Sequence, residues 1–332
     1  ATGPGSAILG SLLFSALFPS PMSVKFLLRV AGTLLLAWAA AAACVALHTP
    51  LPWMLGPLVA TSVLSMAGAP TESWGPLRNG GQWAIGAALG LYFTPEVSAL
   101  VGSLWWAIVL GIGWALLLGW GFGAWLYRLH APRMHGVPAS MLRSTSYFAG
   151  AIGAASEMTL LSERENARTD LVAASHSLRL LIVTITIPFA LQWSGLQGLD
   201  ILTPTVRDVS WPGLALLALL TGAGALVMDR LGRANPWFMG AMLVSMAVTM
   251  AGLHLSAVPQ AVVNAAQLVI GVSLGVRFRA EFLHTAPRWL ASVAVGTFGL
   301  MGICAAFAAV LAWATGLPWV TLLLGTSPGG IT

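Results

Sequence analysis

The chain has 332 residues, of which 58% are hydrophobic and only 8% are charged. Soluble globular domains have about 25% charged residues, so this composition excludes a soluble fold and predicts that a lipid bilayer surrounds most of the protein. The net charge of +5 does not indicate a nucleic-acid partner, because the fifteen Lys and Arg residues stand singly between apolar runs. They form no stripe that could follow a phosphate backbone.

The first residues differ from the rest of the chain. Residues 1–21 are weakly apolar and lack the basic start of a cleavable signal peptide. Met22, with Lys25 close behind it, fits the start of the native protein. We therefore expect residues 1–21 to be an artificial or disordered N-terminal extension outside the fold.

Long apolar segments dominate the remaining sequence. A helix that crosses a bilayer needs about 20 mostly apolar residues. Segments of this kind lie at 26–47, 52–69, 79–93, 97–127, 144–162, 170–192, 211–228, 236–254, 262–276 and 283–315, with an unfinished one from residue 317. Because some are short and two are long, we expect tilted and broken helices. The sequence predicts an all-α polytopic membrane protein of about ten helices.

The segment at 144–162 decides the topology. It is long enough to cross the bilayer but is rich in Gly, Ala and Ser. Cytoplasmic loops carry the excess of Lys and Arg. If the segment enters and leaves by one face, thirteen of the fifteen Lys and Arg residues face the cytoplasm, Arg207 lies outside and Arg179 lies within a span. If the segment crosses, seven of the Lys and Arg residues in loops lie on each side of the membrane. We therefore predict a re-entrant segment and a cytoplasmic N-terminus.

Three sequence blocks occur twice in the same order, which indicates an internal duplication. The pairs are Asn79–Gly90 with Asn264–Gly275, Pro52–Gly56 with Pro236–Gly240, and Ala149–Ala154 with Gly325–Gly330. We predict a first repeat at 22–193, an external linker at 194–210 and an incomplete second repeat at 211–332. Under the re-entrant topology the repeats are inverted, each with about five transmembrane helices and one glycine-rich re-entrant segment. Inverted repeats with broken helices are typical of secondary transporters.

Several of these blocks are similar to those of a known family. The segments LPWMLGPLVA, GGQWAIGAALGLYFTPE, HSLRLLIV, NPWFMGAMLV and SPGG resemble the bacterial AbrB-type duplicated membrane protein family. The resemblance runs from about Arg29 to the end of the chain and implies the bacterial inner membrane. Members are regarded as regulators of gene expression or as ammonia monooxygenases. Ile152-Gly153-Ala154 departs from the family's Pro-Gly-Gly, and the end at Thr332 leads us to expect a truncated second repeat.

Glu157 lies in the segment predicted to be within the membrane. An ionisable group at that depth is costly and indicates function, here proton or ion coupling. The alternative is a carboxylate near the cytoplasmic mouth, continuous with Glu163 and Glu165 in a solvated turn.

Arg179 and His176 are three residues apart on one face of the predicted helix 170–192. A guanidinium can hold a carboxylate or phosphate with two hydrogen bonds, which suits a small anionic solute. The alternative is an internal ion pair of Arg179 with Glu157 or Asp170, which would fasten the re-entrant segment to its neighbour.

Two further groups of residues are candidates for a solute path. The amides of Asn79, Gln82, Asn264 and Gln267 could line a polar pathway or form hydrogen bonds between helices. The neighbouring glycine pairs at four-residue spacing fit a close-packing face. The glycine-rich turns that contain Gly153, Ser327, Gly329 and Gly330 could bind an anion through backbone N–H groups.

Three functions compete. The first is a secondary transporter of a small, anionic solute coupled to protons or sodium; the second is a membrane-embedded sensor that regulates gene expression. An ammonia monooxygenase is third, because no two histidines have a metal-binding spacing, and His130 and His135 fit a solvated basic loop. We therefore expect no metal and no cofactor. The sequence leaves open whether the protein forms a homo-oligomer.

Overall fold

The computed structural model of the chain describes residues 23–132, 134, 136–153, 155–195, 208–278 and 286–327. These ranges contain thirteen helices and no strand. The expected extension at 1–21, most of the linker at 194–210, and Gly329 and Gly330 lie outside the described residues.

The first half of the chain contains eight helices. They are α1 (Val24–Ala46), α2 (Pro52–Met66), α3 (Gly75–Gly90), α4 (Pro95–Ser103), α5 (Trp105–His130), α6 (Ala139–Gly150), α7 (Ala155–Arg164) and α8 (Thr169–Ser194). The second half contains α9 (Trp211–Arg230), α10 (Pro236–Met250), α11 (Gln260–Gly275), α12 (Pro287–Thr315) and α13 (Trp319–Thr326).

Five helices are long and apolar enough to cross a bilayer: α1, α5, α8, α9 and α12. Helices α3 and α4 pass the same criteria together, but they are bent by 83° at the break between them. The long segment 97–127 is a broken helix, as its length led us to expect: it is interrupted at Leu104 and divided between α4 and α5. Helices α2, α10 and α11 are apolar but have only 15 or 16 residues, about 24 Å at most.

The repeated sequence blocks have the same local structure. Helices α2 and α10 both contain 15 residues, begin at a proline and follow a residue in the left-handed conformation, Leu51 with φ 44° and Asn235 with φ 50°. Helices α3 and α11 both contain 16 residues. The duplication seen in the sequence is thus also present in helix lengths and helix starts.

The two halves interlock through reciprocal contacts. Helix α3 of the first half packs on α10 of the second, and α11 of the second half packs on α2 of the first. The backbone at Gly271 approaches so closely that a Cβ atom there would lie 2.6 Å from the carbonyl oxygen of Met54, and a Cβ at Gly86 would collide with the equivalent carbonyl of Phe238. Equivalent helices of the two sequence repeats thus make equivalent contacts.

The four-residue glycine spacing serves these contacts. Next along the same helices, Gly90 lies against Met242 and Gly275 against Leu58. The expectation that these glycines form a close-packing face is therefore confirmed.

A second bundle is built from α5, α6, α7, α8, α12 and α13. Its core contains Phe122, Leu126, Leu171 and Trp289, and the indole N–H of Trp289 donates to Ser175 Oγ over 2.9 Å. His130 is 4% exposed and its Nε2 lies 3.1 Å from Ser292 Oγ. The expectation of a solvated His130 is wrong, because α12 covers the C-terminal end of α5.

Candidate functional site

The candidate site lies where α6 ends and α7 begins. Helix α6 has only 12 residues, about 18 Å. It packs on α5, where a Cβ at Gly123 would lie 2.9 Å from the carbonyl oxygen of Ser146 and a Cβ at Gly119 would lie 3.1 Å from the nitrogen of Ile152. Since Gly119 is near the middle of the 26-residue α5, the break between α6 and α7 lies beside the midpoint of a spanning helix.

After the break the chain returns towards the end of α5 from which α6 started. The backbone N–H of Arg168, which follows α7, donates to Thr145 Oγ1 over 3.0 Å. Glu165 lines one groove together with Arg128 of α5 and Arg143 of α6. The chain after α7 therefore lies beside the middle of α6, and Glu165 shares a groove with the C-terminal part of α5.

Arg179 of α8 caps the broken end of α6. The side chain is 2% exposed. Its Nη1 donates to the carbonyl oxygens of Gly150 at 3.1 Å and Ala149 at 3.4 Å, and its Nη2 donates to that of Ala151 at 2.7 Å. The last carbonyl groups of a helix have no intrahelical N–H partner. The guanidinium supplies these bonds and places positive charge at the negative end of the helix dipole.

His176 completes the cap and has a defined protonation. Its Nε2 lies 2.9 Å from the carbonyl oxygen of Phe148, and its Nδ1 lies 3.0 Å from Nη2 of Arg179. A carbonyl oxygen can only accept and a guanidinium can only donate. Nε2 must therefore carry the proton while Nδ1 accepts, which is a neutral imidazole. Two side chains of α8 thus satisfy four consecutive carbonyl groups.

The partners of Arg179 differ from both expectations. Asp170 pairs instead with Arg168, at 2.5 Å, and the hydrogen bonds of the Arg179 guanidinium go to backbone carbonyls and to His176. The alternative of an ion pair between Arg179 and Glu157 or Asp170 is wrong, because Arg179 binds backbone carbonyl groups. Arg179 does, however, fasten the broken helix to α8. A solute bound by Arg179 would have to compete with these carbonyl groups for the N–H donors of the guanidinium.

Comparison with known proteins identifies the family of the chain. The family model described as "Transition state regulatory protein AbrB" matches residues 53–332. The chain belongs to the AbrB family. A protein from Escherichia coli (strain K12) named "Putative regulator AbrB" is 25% identical over 291 residues, which cover 86% of this chain and 80% of that protein. No solved structure matches the chain.

In this AbrB-family chain, Glu157 lies in the first turn of α7, directly after the break. It is half-buried, whereas Glu163 and Glu165 at the far end of α7 are exposed. Within the described ranges, the Glu157 side chain has no hydrogen bond or ion pair. Glu157 is therefore separate from the solvated turn of Glu163 and Glu165, to which the alternative interpretation assigned it. Gly153 lies in the same break, against Met158.

The four candidate amides flank the point where α3 meets α11. A Cβ at Gly81 would lie 3.1 Å from the carbonyl oxygen of Ala266, and these two residues occupy equivalent positions in the repeats. Gln82 and Gln267 follow this contact directly and are half-buried.

The expected hydrogen bonds between helices are not formed by the asparagines. Asn79 accepts from Arg78 at 3.5 Å and Asn264 accepts from Gln260 at 2.9 Å, each within its own helix. Ser327 likewise donates to Leu324 of its own helix, at 3.0 Å.

Sequence reasoning missed Arg277, the second residue after α11. Burial, and then the charge of Arg78, lower the pKa of Arg277. The start of α3, which carries Arg78, and the end of α11 therefore lie at the same end of the bundle. The only sequence signal was an arginine placed directly after the repeated block.

Proposed function

We propose that this protein is a secondary transporter of a small, anionic solute, coupled to protons or sodium, in which two inverted repeats move relative to each other. The observation that carries the proposal is the α6–α7 break beside the midpoint of α5. Irregular backbone at membrane depth is tolerated only where protein buries it or where it lines a water-filled cavity. Transporters bind their substrates at such breaks.

Helix directions support the inversion of the repeats. Helix α2 runs against α1, because the N–H of Glu72 beyond α2 donates to Thr33 of α1 over 3.1 Å and Glu72 lies 3.8 Å from Arg29. Helix α3 therefore starts beside the N-terminal part of α1. Residue numbers rise along both helices from one contact to the next: Gly271 of α11 lies beside Met54 of α2, and Gly275 lies beside Leu58. These two helices are therefore parallel.

Helix α11 consequently ends at the face where its repeat counterpart α3 begins. Ser65 near the end of α2 donates to the carbonyl oxygen of Val276 at 3.5 Å, and the charge of Arg78 acts on Arg277 there. One repeat copy starts and the other ends at one face, which is the relationship expected of inverted repeats. The arginines at this face fit the cytoplasmic side.

The charges around the break suit an anion and a coupling cation. Arg179 brings a permanent positive charge to the break, and the N-terminal end of α7 adds the positive end of a helix dipole. Among the described residues, Glu157 has no hydrogen-bond or ion-pair partner, and a proton or sodium ion would neutralise this carboxylate. In this proposal Arg179 and His176 position the break, while Glu157 binds the coupling ion.

A solute screen followed by flux measurement tests the proposal. Small carboxylates and amines that raise the melting temperature of purified protein are supplied, as radiolabelled solutes, to proteoliposomes with an imposed proton or sodium gradient. We expect gradient-driven uptake by the native protein and at least a 10-fold loss in Glu157→Gln. Glu163→Gln, an exposed carboxylate on the same helix, is the matched control and should transport normally.

Two results would overturn the proposal. One is the absence of flux for every solute that binds, together with recovery of one stoichiometric cytoplasmic protein, which would favour the regulatory alternative that the relative's name suggests. The other is normal coupled uptake by Glu157→Gln, which would remove Glu157 from the ion path.

A further inference from the structure

A groove of about 660 Å³ lies on the outer surface between α5 and α6. Trp120 and Tyr147 form its walls and are 64% and 51% exposed. Gly123, whose backbone contacts α6 at Ser146, leaves the floor without a side chain. The groove is therefore an apolar channel on a face that a spanning helix presents to lipid.

Two arginines stand at one end of this groove. Arg128 is in the last turn of α5, and Arg143 is in α6 with its guanidinium 5.5 Å from the ring centre of Tyr127. Both are exposed. Glu165 also lines the groove but makes no ion pair with either arginine. Neither guanidinium group thus has a carboxylate partner among the described residues.

This combination has the chemistry of a lipid-binding site. Guanidinium groups bind phosphate with paired hydrogen bonds, and aromatic residues favour the interface between hydrocarbon and water. Basic pockets between transmembrane helices hold anionic headgroups. A free phosphate ion would use only the arginines, whereas an acyl chain would also cover the groove between Trp120 and Tyr147.

We propose that the groove binds one anionic phospholipid, with its phosphate on Arg128 and Arg143 and an acyl chain along Trp120, Gly123 and Tyr147. The occupant touches the α6 helix that leads to the break at Gly150, so it stabilises the packing of α6 on α5. The inference is independent of any transported solute, because it needs only a membrane around α5.

Native mass spectrometry of purified protein, with phosphatidylglycerol or phosphatidylcholine added back, tests this site. We expect one retained phosphatidylglycerol and at least 10-fold weaker retention of phosphatidylcholine. Replacing both arginines, Arg128→Gln with Arg143→Gln, should weaken phosphatidylglycerol binding by about 5-fold for each arginine. Arg230→Gln with Arg233→Gln is the matched control, since both are exposed arginines outside the groove, and it should bind normally.

Glu165→Gln should change phosphatidylglycerol binding in the opposite direction, which misfolding cannot produce. Removing this carboxylate from the groove should strengthen phosphatidylglycerol binding by about 3-fold, through lost like-charge repulsion. The proposal is overturned if phosphatidylcholine binds equally well, if the groove and control variants lose binding equally, or if Glu165→Gln leaves binding unchanged. Thermal stabilisation by inorganic phosphate equal to that by phosphatidylglycerol would also overturn it.

Discussion

Nδ1 of His176 accepts a hydrogen bond from Nη2 of Arg179 at 3.0 Å, and the two residues together cap the broken end of α6. Each depends on the other. Without Arg179, the imidazole loses the donor that fixes its tautomer; without His176, the carbonyl group of Phe148 loses its partner.

Replacement of Arg179 tests how much this cap contributes. Arg179→Met keeps an unbranched apolar stem but removes every donor, which leaves the carbonyls of Ala149, Gly150 and Ala151 unpaired in a buried setting. We expect a loss of about 3 kcal/mol in the free energy of unfolding, measured by denaturation in mixed detergent micelles. Arg168→Met, which removes only the partly exposed pair with Asp170, should cost less than about 1 kcal/mol. Equal losses would contradict the capping role.

The tautomer of His176 can be observed directly. Because Nε2 donates to Phe148 and Nδ1 accepts from Arg179, a second ring proton would face a guanidinium N–H group. We expect ¹⁵N NMR of histidine-labelled protein at pH 7 to show a neutral ring protonated at Nε2, identified by its loss in His176→Gln. An imidazolium, or a ring protonated at Nδ1, would be incompatible with the network.

The reciprocal contacts of the repeats predict paired effects. Gly86→Ala and Gly271→Ala each place a methyl group against a carbonyl oxygen of the opposite half. We expect each to lower the unfolding free energy by about 1–3 kcal/mol, and the two losses to agree within about 1 kcal/mol. Gly80→Ala, which meets open space on α3, should be neutral or stabilising by up to about 1 kcal/mol. A loss at Gly80 equal to that at Gly86 would show that the effect is not one of packing.

The sequence predicted the repeated core of the fold well. Helix starts at Pro52 and Pro236 and the glycine contacts at Gly86 and Gly271 follow from duplicated blocks that keep one spacing. The length of the segment 97–127 predicted a break but not its position at Leu104, because a leucine within an apolar run carries no breaking signal.

The site was predicted only in part. A spacing of three residues placed His176 and Arg179 on one face correctly. Their partners are backbone carbonyl groups, which every residue possesses, so no side-chain pattern could reveal them. His130 was misjudged for a related reason: its burial comes from Trp289 and Ser292, more than 150 positions away in the chain, and local sequence does not report such contacts.

The most direct test of the account is the path of the α6–α7 pair across the membrane. We introduce single cysteines at Ser140, at the start of α6, and at Glu163, at the end of α7. Both are made in a chain with Cys44→Ala and Cys304→Ala. Vesicles of both orientations are then treated with a membrane-impermeant maleimide. The account predicts that both cysteines react from the same, cytoplasmic side. Reaction from opposite sides would mean that the pair crosses the bilayer, and the inverted repeats and the proposed transport would then lose their basis.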